Sequence, residues 1–174
     1  MSAQSEAPMG LPQEVALSER DGQYLLHAIA MADKARERGN RPFGAVIVAA
    51  DGQVLAQAWN ATAETGDCTA HAETSAIRMA SPSHSRDALA TATLYSSGEP
   101  CVMCAGAIYW SNIGRVVYGI DAVRLRVFRG ERLDQRDAEL SCRDVFDASP
   151  RAIDCLGPAL IAQASASHQG GWTA

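Results

Sequence analysis

The sequence predicts an α/β protein, a three-layer α/β/α sandwich whose helices cover a mostly parallel sheet. Three observations lead there. From about residue 70 onward, short β-type apolar runs alternate with segments of helical period, the order that crossover connections produce. Before them, two apolar runs are joined by Asp51-Gly52, a pair suited to a tight hairpin, so the sheet begins as an antiparallel pair. The 174 residues, 47% hydrophobic and 20% charged, suit one domain with one core.

The elements follow in order. Residues 1–17, with Pro8, Gly10 and Pro12, read as an irregular lead-in to a domain spanning 18–174. Ser18 is a suitable N-cap, and Leu25, Ala28, Ile29, Ala32 and Ala35 recur at helical spacing until Gly39. That gives a helix over 19–38. Strands are expected at 43–50 and 54–59, then a polar loop over 61–67. Thr69 can cap a helix starting at Ala70 or His71 and running to Ala80, where Ser81-Pro82-Ser83 stops it. A third strand is expected at 91–96. Pro100 then introduces a helix over 101–110, and a fourth strand covers 115–120. Residues 121–137 are charged and weakly periodic, a loop or a broken helix. Near the C-terminus, Ala152, Ile153, Leu156, Leu160 and Ile161 suggest an apolar helical face, interrupted at Gly157-Pro158, which makes a helical tail.

Charge and cysteine usage narrow the function classes. A net charge of −5 argues against a protein whose main task is gripping phosphate backbones. Arg124, Arg126, Arg129, Arg132 and Arg136 form a local basic stretch, but Glu131, Asp134 and Asp137 are interleaved with it, the pattern of a solvated face. Five cysteines in a chain of this length suggest free thiols or metal ligands rather than a disulfide scaffold. The longest apolar run, 43–50, is far short of the roughly 20 residues that cross a bilayer. Residues 1–13 show neither the basic nor the apolar region of a signal peptide. A cytoplasmic protein without membrane partners is expected.

The chemistry lies in His71-Ala72-Glu73 and Pro100-Cys101-Val102-Met103-Cys104, each at the start of an expected helix. A helix N-terminus carries partial positive charge, which favours thiolates and a neutral, metal-binding imidazole. His71, Cys101 and Cys104 offer three ligands for Zn2+ and leave the fourth tetrahedral position to water, as catalytic zinc requires. Glu73, two residues after a ligand, can take a proton from that water and return it to a leaving group. Cys68 spaced before His71 allows a second reading, a closed structural site of three cysteines and one histidine. His27 reads as a packing residue and His84 as a surface one, and Cys142 and Cys155 as small buried apolar side chains.

These two motifs resemble the signature of zinc-dependent nucleobase deaminases. Over about residues 20–120 the sequence is similar to the cytidine deaminase-like superfamily. The resemblance also covers Arg41-Pro-Phe-Gly-Ala-Val-Ile-Val48, Trp59-Asn60 and Asp67-Cys-Thr-Ala-His-Ala-Glu73. It implies a mixed five-stranded sheet, zinc held by His71, Cys101 and Cys104, proton transfer by Glu73, and loss of an exocyclic amine as ammonia. It further implies that Asn60 hydrogen-bonds the base and that the N–H groups of Ala72 and Cys101 face the reacting centre. Relatives usually carry proline at the position of Cys68, which makes Cys68 a loop residue.

Two subgroups share the remaining motifs. Arg41-Pro-Phe-Gly and Gly106-Ala-Ile-Tyr-Trp110 resemble free-base guanine deaminases, and imply that Phe43 and Trp110 line the pocket. The segments 98–106 and 112–119 resemble tRNA adenosine deaminases. Both favour a purine-sized substrate, and the acidic balance favours a free nucleobase or nucleoside over nucleic acid. Guanine deaminases usually carry an acidic pair after a Gly-Phe step, where this chain has Phe128-Arg-Gly-Glu131, so that Glu131 is a displaced equivalent. By analogy the tail His168-Gln-Gly-Gly-Trp172 places Trp172 as an aromatic lid, and short-chain relatives imply a homodimer. Deamination of a guanine-like base is the leading expectation. tRNA adenosine deamination and a catalytically silent, zinc-stabilised interaction module are the alternatives.

Overall fold

Five strands form one mixed sheet in the computed structural model, which describes residues 11–130 and 140–172. They are Gly44–Val48 (β1), Val54–Trp59 (β2), Thr93–Gly98 (β3), Arg115–Ile120 (β4) and Asp154–Leu156 (β5), in the order β2-β1-β3-β4-β5. β1 is antiparallel to both β2 and β3, whereas β3, β4 and β5 run parallel. The hairpin expected at Asp51-Gly52 thus opens the sheet, and crossovers build the rest.

Helices cover both faces. Glu19–Glu37 (α1), Ala122–Arg129 (α6) and Ile161–Ala166 (α8) supply Leu25, Ala28, Leu125 and Ala164 to one core, with Val46, Tyr95 and Val117 from the sheet. Ala72–Ala80 (α3), Val102–Ser111 (α5) and Cys142–Asp147 (α7) supply Ala76, Ala105, Ile108 and Phe146 to the other, with Ala45, Ile47, Leu94 and Val116. Alternate strand residues thus enter opposite layers, the period of a pleated strand, and β1 is buried along its whole length. Two short helices, Thr62–Thr65 (α2) and Arg86–Ala90 (α4), lie in the connections.

The element readings hold with local corrections. Ser18 caps α1 as expected, its side chain accepting from the Asp21 N–H at 3.1 Å. Gly44 is required by packing, because a Cβ there would lie 2.2 Å from the Ala28 carbonyl oxygen of α1. The loop expected over 61–67 contains α2, and the third strand begins at Thr93 rather than residue 91 because α4 ends just before it. The N-cap of α3 is His71, not Thr69, whose N–H and hydroxyl are instead drawn to Asp67 Oδ1 at 2.8 and 2.7 Å. The apolar helical face read around Ala152–Leu156 is corrected to the edge strand β5, with α8 following it. Within the lead-in, residues 11–17 have no helix or strand, and the Val15 N–H donates to the Pro158 carbonyl at 2.8 Å. Glu131, Arg132, Asp134, Arg136 and Asp137 lie outside the described residues. No described helix is long and apolar enough to cross a membrane.

Candidate metal centre and cavity

Two loop-to-helix junctions on the α3/α5 side of the sheet bring the candidate ligands together. His71 is the N-cap of α3 and Cys101 the N-cap of α5, both with extended backbone and neither with a side-chain capping bond. Their side chains are therefore available for something other than the helix start. Cys104, one turn into α5, is fully buried beside them. The His71 Nδ1 lies 3.6 Å from Cys101 Sγ and 3.5 Å from Cys104 Sγ, and the three donor atoms all lie within 4.8 Å of one another.

Those spacings fit zinc. Tetrahedral geometry with ordinary Zn–N and Zn–S bond lengths requires an N···S edge of about 3.6 Å. The thiols are also poised for it. The Cys101 thiol is held down at about 4, chiefly by the hydrogen bond with Cys104 and also by His71, while the same bond and burial push Cys104 up. A cation entering the cluster takes the place of the proton that the two sulfurs share.

Glu73 is 4% exposed on the first turn of α3. The Ser96 hydroxyl donates to its Oε1 at 3.1 Å, and the Cys104 thiol to its Oε2 at 3.5 Å. Desolvation pushes its pKa above the usual carboxylate range, with the negative charge at Cys101 adding to the effect. A carboxylate so placed, against the ligand cluster but outside it, holds a proton more readily than an exposed one.

His71, Glu73 and Cys101 line a cavity of about 500 Å3, within the usual range for small-molecule sites. Asn60, Phe43, Cys68, Glu99, Arg129 and Trp172 contribute further to its wall. The cavity lies beyond the carboxyl end of β3, where open α/β sheets commonly bind ligands.

The chain matches the family described as the cytidine and deoxycytidylate deaminase zinc-binding region over residues 18–120. The chain belongs to the cytidine deaminase family. It is 38% identical over 161 residues to a probable cytosine deaminase of Schizosaccharomyces pombe, covering 90% of this chain and 94% of that one. A structure from studies of A-to-I editing by tRNA:A34 deaminases is 32% identical with a TM-score of 0.66, covering 84% of this chain and 99% of that one. A guanine deaminase structure from Bacillus subtilis is 31% identical with a TM-score of 0.56, covering 88% and 94% respectively. Zinc is the metal of this deaminase, and His71, Cys101 and Cys104 are the residues that fit it.

The deaminase assembles most of the residues expected at the site, and one falls elsewhere. Asn60 is 2% exposed in the cavity wall. Its Oδ1 accepts from the Thr62 N–H at 3.2 Å and hydroxyl at 2.9 Å, so it closes a turn as well and leaves its amide N–H groups as the donors for a ligand. Ala72, the first residue of α3, is fully buried and is not among the cavity-lining residues, so only its backbone N–H, in the unbonded first turn, can serve the site. Phe43 and Trp172 both line the cavity, meeting edge to face with centroids 5.9 Å apart. Trp110 is corrected. It is 75% exposed at the end of α5, packs on Tyr109, and does not line the cavity, because the buried face of α5 carries Cys104, Ala105 and Ile108. Cys68 does line the cavity but is exposed and stands outside the ligand cluster.

Glu99 is a charged cavity residue that the sequence reading missed. Its Oε1 accepts from the Ser141 hydroxyl at 2.6 Å and the Cys142 N–H at 3.2 Å, and its Oε2 from the Ala122 N–H at 2.9 Å. One carboxylate thus satisfies the starts of both α6 and α7. Only its place two residues before Cys101 could have drawn attention to it.

Proposed function

We propose that the chain removes the exocyclic amino group of a free nucleobase or nucleoside by hydrolysis, releasing ammonia, with a guanine-like purine as the favoured ring. The observation that carries this reading is the position of Trp172. The chain's own tail brings an indole into the cavity wall beside Phe43, an aromatic enclosure suited to an isolated flat ring rather than to a base on a polymer. The basic stretch supports the same choice, since among its described members Arg124 is paired with Asp121 and Arg129 stacks over Trp172.

The residues then have definite roles. Zinc held by His71, Cys101 and Cys104 supplies the Lewis acidity that makes water a nucleophile near neutral pH. Glu73 takes one proton from the attacking water and delivers it to the ring nitrogen, then takes the proton of the newly added hydroxyl and delivers it to the amine, so that the C–N bond breaks, ammonia leaves and the ring carbon becomes a carbonyl. Ser96 fixes the Glu73 carboxylate through Oε1. The Asn60 amide donates to the ring, and Phe43 and Trp172 hold its faces and edges and exclude bulk water.

A second reading, cytosine as substrate, is favoured by the near full-length similarity to the S. pombe protein. Ammonia release by the zinc-loaded protein from guanine, guanosine, adenine, cytosine and an anticodon stem-loop separates the readings. The expected outcome is fastest release from guanine. Release from the stem-loop alone would overturn the small-molecule reading, and release from cytosine alone the purine preference. A homodimer completes the proposal. Val102 and Trp110 are exposed two turns apart on α5, and sedimentation equilibrium is expected to give twice the chain mass.

A further inference from the structure

His168 is a buried, titratable side chain to which the chemistry above gives no role. It is 1% exposed, in the turn that follows α8. Its Nδ1 accepts a hydrogen bond from the Trp172 indole N–H at 3.2 Å, and the two rings stack with centroids 5.7 Å apart and planes 17° from parallel. Phe43 meets the imidazole edge on at 5.1 Å, and Phe128 of α6 lies at 5.7 Å.

Chemistry fixes the form of the ring. An Nδ1 that accepts puts the proton on Nε2, and Nε2 is buried without a hydrogen-bond partner among the described residues. Burial pushes the pKa of His168 down to about 4, with the positive charge of Arg129 adding to the effect, so the ring is neutral at ordinary pH. An orphaned buried N–H is destabilising. Phenylalanine would fill the same aromatic niche without that defect. What phenylalanine lacks is the acceptor for the indole N–H.

We propose that His168 is a positioning residue that sets the orientation of Trp172 in the cavity wall, through the Nδ1 hydrogen bond and the stacked ring. The surrounding turn is built to the same end. The Ser167 hydroxyl donates to Asp33 of α1 at 2.6 Å, which anchors the segment before His168. Gly170 then takes a positive φ of 68°, the reversal that returns Trp172 over His168. Arg41 and Arg129 lie over the indole at 5.5 and 5.4 Å, so the ring is clamped by charge as well, while the imidazole fixes its rotation through a directed bond. This proposal rests on the reading of Trp172 as part of the substrate enclosure.

The test joins a substrate-free readout to kinetics in the zinc-loaded protein. The indole N–H signals of Trp59, Trp110 and Trp172 are resolved by 15N NMR and assigned by single Trp→Phe variants. H168F is expected to move the Trp172 signal and speed its exchange with solvent, and H168Q, which retains an acceptor, to restore it in part. With guanine and cytosine as probes, H168F is expected to raise KM roughly two- to tenfold at little change in kcat, the loss of one hydrogen bond. W172F is expected to raise KM by itself, and H168F/W172F to raise it no further. An unmoved Trp172 signal in H168F, or KM effects that add in the double variant, would overturn the proposal. If instead KM is unmoved in W172F, the enclosure reading fails, and the role of His168 in turnover fails with it.

Discussion

Asp21→Asn offers a sharp separation of what holds this fold from what works in it. Asp21, in α1, is 8% exposed. Its carboxylate accepts from Arg115 Nη1 and Nη2 at 2.7 and 2.9 Å, from the Tyr95 hydroxyl at 2.8 Å and from the Ser18 hydroxyl at 2.9 Å. Arg115 Nε in turn donates to Asp154 at 3.0 Å. A single carboxylate therefore ties α1 to the first halves of β3 and β4 and, through Arg115, to β5. The Arg115 hydrogen bonds, helped by Tyr95 and Ser18, hold its pKa at about 2 against an ordinary 3.8. At about 1.4 kcal/mol per pH unit, that difference corresponds to about 2 to 3 kcal/mol of stability. Asparagine keeps the shape, removes the charge and leaves the half-buried Arg115 with Asp154 alone, so the loss near pH 7 is expected at about 2 to 3 kcal/mol.

The pH dependence has a definite sign. Because the folded pKa lies below the unfolded one, the stabilisation is complete above about pH 4 and disappears as pH falls towards about 2. Urea unfolding followed by circular dichroism, on wild type and D21N at a series of pH values, measures the gap directly. Zinc ligands protonate in both proteins, so their contribution cancels in the difference. The gap is expected to close between about pH 4 and about pH 2. A gap as large at low pH as at neutrality would refute the assignment of the stability to the ionised carboxylate. Turnover per folded molecule is expected to be unchanged, because the network lies at the amino ends of β3, β4 and β5 and the cavity lies beyond the carboxyl end of β3.

Three further outcomes bear on the site. Glu73→Ala is expected to retain zinc by metal analysis and to lose about a thousandfold or more in ammonia release, and normal turnover would remove Glu73 as the proton carrier. Ser96→Ala, which deletes the bond to Glu73 Oε1, is expected to lower kcat about tenfold with zinc content and KM little changed. Cys68→Ser is expected to leave zinc content and the cobalt-substituted spectrum unaltered, whereas loss of a thiolate band would restore the closed structural site.

How much of the molecule could be read from its residues depended on how local the cause was. α1 was legible because Ser18 caps it and one apolar stripe fills one face. The ligand set was legible because both motifs sit at helix starts, where spacing along the chain fixes position in space. β5 was not, because three residues are too few to display a period, and what makes them a strand is pairing with Arg115, Val116 and Val117. Glu99 was hidden for a related reason. Its partners are the starts of two helices that come 23 and 42 residues later, and nothing near Glu99 announces them. Trp110 failed in the opposite way, since its motif placed it on the correct helix but could not say which face the packing would bury.

The two ligand positions also explain why the site is both legible and costly to the fold. An N-cap usually carries Ser, Thr, Asp or Asn, whose side chain satisfies an N–H of the first turn and stabilises the helix by about 1 kcal/mol. Ser18, Ser85, Asp121 and Ser141 do this for α1, α4, α6 and α7. His71 and Cys101 do not, and both stand in the wall of the cavity. The starts of α3 and α5 place their capping side chains in the ligand cluster instead. Capping is given up at two helix ends where a cation can bind, so removal of the metal is expected to loosen the starts of α3 and α5 and the alignment of Glu73 on the first turn of α3 together.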